Sequence, residues 1–531
     1  MKATPKIPHI PEEERTPLVL ALLEIIQVLL EQNQELKDEI ARLKGQKPKP
    51  KIKPSVLEKD PVKQEKKDTD AKRPGSAKRE KTKKLQTHRT VIIPAPDVPR
   101  GSVRKGFEDF TVQGLLFQPY NTLYRRERWL TPQGKCIVAP LPEHLKGPGS
   151  HFDTSLQSFI LSQYYHGHVT QPLILEQLRD LGVDISCGQV NRIITEDKDR
   201  FHVEKGEILR VGLAISPYVN VDDTGARHRG KNGYCTHIGN EWFAWFESTL
   251  SKSRINFLTL LGAGAADYVL NRDAVAYMEM QNLPQTGFQR LEELGKTVFE
   301  DERAWKEALE SVGLTKQRHV RIATEAALLG SIIEHGATNQ DLVIISDDAG
   351  QFDVLLHGLC WIHAERSIRK LTGFSDVQRE ALETTRDRIW AFYRDLKDYK
   401  QAPGPEKRSD LNKRFDEIFR ADTCYDALNK ALTRIRKNKS ELLLVLERPD
   451  IPLHNNLSET DIREYVKKRK ISGSTRSDLG RRCRDTFASL KKTCRKLGVG
   501  FWEYLKDRVS GLNSIPWLPD LMEQRLTASL E

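Results

Sequence analysis

Three acidic signals lie far apart in the chain: Val221-Asp222-Asp223-Thr224, Ser346-Asp347-Asp348, and His454-Asn455-Asn456-Leu457-Ser458-Glu459. The first two follow apolar runs, 218–221 and 342–345, that read as strands. The third opens a helix-like run in which Asn455 or Asn456 suits the N-cap. Carboxylates delivered from two strands and a helix suit a site for divalent cations acting on phosphodiesters. If the two strands are neighbours, Asp222 and Asp347 meet at one edge of the sheet, and a helix packed there brings Glu459 to them. Three unscreened carboxylates repel one another. Two divalent ions would remove that repulsion, one activating the attacking oxygen and the other stabilising the leaving one. Mg²⁺ suits such a site because it takes hard oxygen ligands and keeps several waters. Asp223 and Asp348 are the alternates, since alternation along a strand turns neighbours to opposite faces. Each acid taken singly has a plainer reading: an Asp after a strand forms turns, and Asn-x-x-Glu resembles a capping box.

The elements that must position these residues come in a definite order. Residues 218–221, 234–238 and 242–246 read as consecutive strands, the last two around Gly239-Asn240. Residues 254–261 start a helix, and 262–336 form a long, charged, mostly helical stretch. Then come the strand 342–345, a helix over 361–371, helices through much of 376–445, and helical runs over 458–470 and 483–497. Strands first, then a strand–helix unit, then helices imply a mixed α/β core with helical insertions.

Upstream, Leu22, Ile26, Leu29, Asn33, Leu36, Ile40 and Leu43 step by four and three, a heptad seam with one Asn at an a position. It predicts a short dimerising coiled coil, or else an amphipathic helix folded back on its own chain. Residues 44–89 hold 17 Lys and Arg against 6 Asp and Glu, which accounts for the whole net charge of +11. Such an arm suggests a polyanionic partner, nucleic acid first, or a solvated linker. Its composition predicts disorder over 46–90. Residues 91–150 read as a small β-rich module. Residues 151–205 read as helical. Within them 171–181, a turn at Gly182-Val183 and 185–194 resemble a helix-turn-helix offering Ser186, Gln189, Asn191 and Arg192 to DNA, or two helices packed in the ordinary way. Seven cysteines without a C-x-x-C pair predict reduced thiols, and no apolar run approaches the ~20 residues of a membrane span.

Together these residues resemble the DDE transposases of bacterial insertion sequences, in particular the insertion-sequence-sixty-six type (TnpC-like proteins). Asp222-Asp223-Thr224 resembles that family's Asp-Glu-Thr. Asp347 with Phe352 is similar to its Asp-Gly-Tyr segment. Cys360-Trp361-Ile362-His363-Ala364-Glu365-Arg366 matches Cys-Trp-x-His-Ala-x-Arg, and Asn455-Asn456-Leu457-Ser458-Glu459 matches Asn-Asn-x-x-Glu. Gly473-Ser474, Ser489-Leu490, Thr493, Gly498 and Tyr504-Leu505 keep the order of its C-terminal tail. The resemblance is good over 206–261 and 340–510, and architectural before that. Three departures stand out. Only Cys136 lies in 91–150, so no zinc is expected there. The segment 262–336 lengthens the first spacing. Asp348 stands where the family usually has Gly.

The resemblance implies an RNase H-like catalytic domain over 206–515, with helical insertions at 262–336 and 372–450 and a tail over 516–531. It implies catalysis by Asp222, Asp347 and Glu459 with two Mg²⁺, for which Mn²⁺ could substitute. It also implies cleavage at element ends followed by transfer of the freed 3′-hydroxyl to target DNA. His363 and Arg366, one turn apart, are expected on a phosphate near the scissile one, although His363 also suits a core position. Arg463, Lys467 and Lys470 recur at helical spacing, as a basic stripe for DNA or as a solvated face. The expected partners are double-stranded DNA (terminal inverted repeats and target), a second copy through the coiled coil, and accessory proteins of the same element. No membrane is expected, and the expected location is the bacterial cytoplasm with its nucleoid. A dimeric DNA-binding regulator without catalysis, and an RNase H-like nuclease that does not join ends, are the competing readings.

Overall fold

The computed structural model describes residues 87–141 (Asp97 and Val98 excepted) and 151–530, together with Thr16, Val19, Leu22, Ile25, Ile26 and Leu29. Of the heptad seam, Leu22, Ile26 and Leu29 are helical; Asn33, Leu36, Ile40 and Leu43 lie outside the described residues, as does most of the basic linker. The chain divides into two compact units, 50–120 and the remainder. The described part of the first unit contains no helix or strand, and its Arg104 guanidinium lies 4.5 Å from the centre of the Phe107 ring. In the second, β1 (Arg128–Leu130) and β2 (Cys136–Val138) form a short antiparallel hairpin with exposed side chains. Strand pairing within the module expected at 91–150 is confined, among the described residues, to this hairpin; 110–117 has none.

Next come α1 (Thr154–Leu161), a π-helical turn at Ser162–His166, α2 (Gln171–Asp180), α3 (Cys187–Thr195) and α4 (Asp199–Ile215). The helix at 185–194 starts two residues later than the sequence suggests. Ser186 is its N-cap, and Gln189 closes a capping box by accepting from the Ser186 N–H while its own N–H donates to Ser186 Oγ.

The central sheet has five strands: β3 (Tyr218–His228), β4 (Lys231–Gly239), β5 (Ala244–Thr249), β8 (Val343–Ser346) and β9 (Leu356–Leu359), in the order β5-β4-β3-β8-β9. The first three are antiparallel; β8 and β9 run parallel to β3. β3, β4 and β5 are linked by hairpins, and β8 follows them after a long crossover, as its parallel pairing with β3 requires. β3 does not stop at Val221 but runs through both aspartates to His228, because β4 pairs with it to the tip. The tip is Arg229-Gly230, with φ of +49° and +77°, the two-residue turn whose twist matches that of the strands.

The crossover carries α5 (Arg254–Leu261), β6 (Tyr268–Val269), α6 (Arg272–Met280), α7 (Gln285–Glu292), β7 (Val298–Phe299), α8 (Glu302–Ser311) and α9 (Gln317–Glu334). The expected helical stretch 262–336 thus includes a two-stranded pair, β6 with β7. After β9 come α10 (Trp361–Arg369), then α11 (Asp376–Gln401), α12 (Pro405–Ile418), α13 (Asp426–Lys437) and α14 (Lys439–Leu442). The chain ends with α15 (Asn456–Ser472), α16 (Asp478–Lys496), α17 (Phe501–Ser510) and α18 (Leu518–Leu530).

Alternation along the buried strands sorts the two faces. Val219, Val221 and Ile344 join a core with Phe257, Ile322 and Phe487. Val343 and Ile345 join a second core with Trp361, Phe392 and Phe415, through which α11–α13 are anchored to the sheet. The larger unit is a mixed α/β structure with helices packed on both faces of its five-stranded mixed sheet. No helix among the described residues is long and apolar enough to cross a membrane.

Candidate active site

The register of β3 on β8 brings the first two acids together. Asn220 lies opposite Ile345 in this parallel pair. Asp222 and Asp347 each follow by two residues, so they leave neighbouring strands on the same face. Burial, then the charge of Asp347, pushes the Asp222 carboxyl up to about 8; the charges of Asp223 and Glu459 add to this, and the Asp223 N–H bonded to Asp222 Oδ1 at 2.7 Å opposes it. Asp347 Oδ1 is buried without a hydrogen-bond partner.

The alternates are engaged elsewhere. Asp223 turns to the other face, where Oδ1 accepts from Thr236 Oγ1 at 2.6 Å and Oδ2 from Gln351 Nε2 at 3.0 Å. Asp348 accepts from Arg434 Nη2 at 2.7 Å and from Asn438 Nδ2 at 3.0 Å. The loop after Asp347 is held further by Arg254, whose guanidinium donates to the Gly350 carbonyl.

The third acid is placed by Asn455. Its side chain does not cap α15. Instead Asn455 Oδ1 accepts from Asn220 Nδ2 at 2.9 Å, and Asn455 Nδ2 donates to the Val221 carbonyl at 2.7 Å. The start of α15 is therefore bonded to β3 just before Asp222, and Glu459 lies one turn into the helix. Its carboxylate faces two guanidiniums, Arg366 Nη2 at 3.4 Å and Arg463 Nη2 at 3.5 Å, and the His363 imidazole, with Nε2 at 3.6 Å. Behind it α15 is fixed by a buried polar group. His237 Nδ1 is 2.9 Å from Ser458 Oγ, its Nε2 is 3.2 Å from Asp461, and Asp461 also meets Lys492 at 3.3 Å and Lys496 at 2.8 Å.

His363 makes no backbone bond through its ring; Nδ1 is buried without a partner, and Nε2 lies 3.1 Å from Arg366 Nη1. Burial and the Arg366 charge hold the imidazole below its ordinary value, against the pull of Asp347 and Glu459. Arg463 and Lys467 are exposed on α15, paired with Glu459 and Glu464, and Lys470 is exposed near its end. Upstream, Gln189 is spent in its capping box, Asn191 Oδ1 accepts from Gln171 Nε2 at 3.2 Å, and Arg192 is exposed. Asn220, Gln351, Arg434 and His237 escaped the reading of the sequence. Only Asn220 carried a signal, an amide inside an otherwise apolar strand.

Among the described residues, no three His, Cys, Asp or Glu side chains are closed up as a ready metal cage. The donor set nonetheless fits divalent cations. The raised Asp222 carboxyl and the unpartnered Asp347 oxygen are groups that a divalent cation between them would satisfy. Glu459, meanwhile, leans on Arg366 and His363.

A protein-family model described as "Transposase IS66 family" matches residues 336–482, the stretch that carries Asp347, His363, Arg366 and Glu459. The chain is also similar to "Uncharacterized protein y4jO" of Sinorhizobium fredii (strain NBRC 101917 / NGR234). Identity is 46% over 304 residues, covering 57% of this chain and 94% of the relative.

Proposed function

The chain belongs to the transposase IS66 family, and we propose that within it Asp222, Asp347 and Glu459 form the catalytic triad of a metal-dependent DNA strand-cleaving and strand-joining enzyme. The sheet supports this reading. Three antiparallel strands followed by two parallel ones, with the first strand central, are the strand order expected of an RNase H-like core; Asp222 lies on the first strand, Asp347 directly after the fourth, and Glu459 on α15. The observation that carries it is the register that sets Asp222 beside Asp347 with a raised pKa and an unpartnered oxygen.

Asp222 and Asp347 would hold Mg²⁺ (or Mn²⁺), with Glu459 completing the set. Bound there, the ions supply Lewis-acid activation of the attacking oxygen and charge stabilisation of the leaving one. The chain's own residues bind and orient. Asn455 and the His237–Asp461 group hold α15 so that Glu459 faces the pair. Arg366 and His363 bring donors to the edge of the carboxylates, where a phosphate next to the scissile bond would accept them. Protein atoms need do little else, because phosphoryl transfer depends chiefly on positioning and charge stabilisation. The DNA would be element ends and a target, held also by Arg463, Lys467, Lys470 and the exposed Arg192. A dimer through the N-terminal seam, accessory proteins of the same element and a nucleoid location complete the proposal.

The test is strand cleavage of element-end DNA with Mg²⁺. Asp222→Asn, Asp347→Asn and Glu459→Gln should each abolish cleavage while binding persists. Retained cleavage by any one removes that residue from the triad. Cleavage without joining in a strand-transfer assay would leave a nuclease.

The pairing of Glu459 with Arg366 favours a second reading, a DNA-binding protein without catalysis. It predicts no metal-dependent nicking at all.

A further inference from the structure

We infer that the exposed basic face of α13 binds the DNA phosphate backbone beside the carboxylates, with Asp348 holding Arg434 until DNA takes its place. The inference rests on the reading that the site acts on DNA. Three observations carry it.

The first is placement. Arg434 reaches off α13 to the residue next to Asp347, with Nη2 and Nε at 2.7 and 3.2 Å from Asp348 Oδ2, and Asn438 adds a bond to the other oxygen. The helix also packs on α10, which carries His363 and Arg366. Its outer face is therefore a lip of the same site, although 86 residues separate Arg434 from Asp348.

The second is spacing. Lys430, Arg434 and Lys437 recur at four and three residues, one face of a helix. They line a shallow groove of about 460 Å³ together with Asn429, Thr433 and Asp426, which pairs with Lys430 at 2.7 Å in an ion pair as exposed as that of Arg434. The buried residues of α13, Leu428, Leu432 and Ile435, occupy the other face. Cations in a last turn also suit the helix dipole, but Lys430 lies outside that turn, and Arg434 is directed at the catalytic loop.

The third is exchange. Arg434 is 70% and Asp348 47% exposed. A pair so open to water contributes little, so a phosphate can replace Asp348 at small cost. Duplex DNA presents phosphates in regular succession, and each one neutralised by a cation releases counterions. A helical row of three cations at the edge of an acidic site answers a further need, because the carboxylates by themselves repel the substrate. Asp348 then acts as a stand-in anion: it keeps Arg434 extended along the site and lowers the affinity of the lip for stray anions.

The experiment measures binding of the full-length protein, in EDTA, to a labelled 30-base-pair duplex of random sequence, by anisotropy across a salt series. No cleavage is needed, so loss of the catalytic proposal would leave this result readable. Arg434→Gln should flatten the slope of log K against log salt by about 1, and Lys430→Gln/Arg434→Gln/Lys437→Gln by about 2 to 3. Asp348→Asn should tighten binding at low salt by about two- to fivefold, the value of releasing a surface ion pair. Arg303→Gln/Lys306→Gln, on the equally exposed α8, should leave the slope unchanged and so controls for net charge. All the altered side chains are exposed, and unchanged circular dichroism would confirm the folds. A triple variant with the wild-type slope, or an Asp348→Asn protein that binds no more tightly, would overturn the inference.

Discussion

If Asp222 is crowded by burial and by Asp347, removing its charge should stabilise the metal-free protein. The folded carboxyl titrates at about 8 against an ordinary 3.8. Between those values the unfolded chain is ionised while the folded chain keeps its proton, so the folded state binds more protons and stability falls as pH rises. Below pH 3.8 both states are protonated and nothing is lost. Carried to pH 7, the difference is about 3 pH units at about 1.36 kcal/mol each, or ~4 kcal/mol withheld from the native state. Asp222→Asn removes the titration. Its amide oxygen can still accept from the Asp223 N–H, and the shape is unchanged.

The assay is urea unfolding of both proteins in chelator from pH 5 to 9, read as the difference between their midpoints. A chain with two compact units need not unfold in one step, so the difference between the proteins is the sound quantity. Asp222→Asn should be the more stable, by a margin that widens from pH 5 to about 8 and then levels. Mg²⁺ should close the gap by stabilising the wild type, because a ligand that binds only the folded state adds to its stability. Parallel curves across the whole range would refute the reasoning. So would a variant less stable than wild type at pH 8. Either result would mean that burial and Asp347 do not raise this carboxyl, and the observation that carries the catalytic reading would be lost.

Two further outcomes follow from packing. Asn455→Ala removes two buried bonds, one from the Asn220 amide and one to the Val221 carbonyl. It should cost about 2–4 kcal/mol in unfolding experiments, and reduce strand cleavage further than the matching loss of folded protein, because Glu459 loses its tether to β3. Gly330→Ala would put a Cβ 2.2 Å from the Val269 carbonyl oxygen where α9 crosses β6. With backbone on both sides the clash should cost about 1–3 kcal/mol or more, lowering the thermal midpoint while leaving the salt dependence of DNA binding intact.

The acids themselves were legible in the sequence because each ends or opens a run whose periodicity is local. The apolar runs before Asp222 and Asp347 predicted two strands, and the structure pairs them in parallel. The extent of β3 was not legible. Its second half, Asp-Asp-Thr-Gly-Ala-Arg-His, has little intrinsic strand preference and is extended only because β4 pairs with it. The start of α3 could have been read from Ser-x-x-Gln, a capping box in the sequence itself. The two short strands β6 and β7 could not, since two residues carry no period. Which aspartate of each pair turns inward was only half visible. Alternation said that one must, but the partners that occupy Asp223 and Asp348 come from Thr236, Gln351, Arg434 and Asn438, brought in by tertiary packing.

The buried polar group behind α15 bears on the same question from the other side. Burying His237, Asp461, Lys492 and Lys496 together is costly, and apolar side chains of similar volume would often serve stability as well. An apolar seam, however, tolerates sliding, whereas the Ser458 hydrogen bond and the close approach of Asp461 to one imidazole fix both the rotation and the axial position of the helix. Ser458 precedes Glu459 directly and Asp461 follows it by two. The helix thus has its polar anchors on both sides of the residue whose carboxylate faces the site, and a second tether at Asn455. On the catalytic reading proposed above, so precise a seat for Glu459 has a use. An enzyme that must bring a third carboxylate to two crowded ones, against their repulsion, requires a rigid support of this kind.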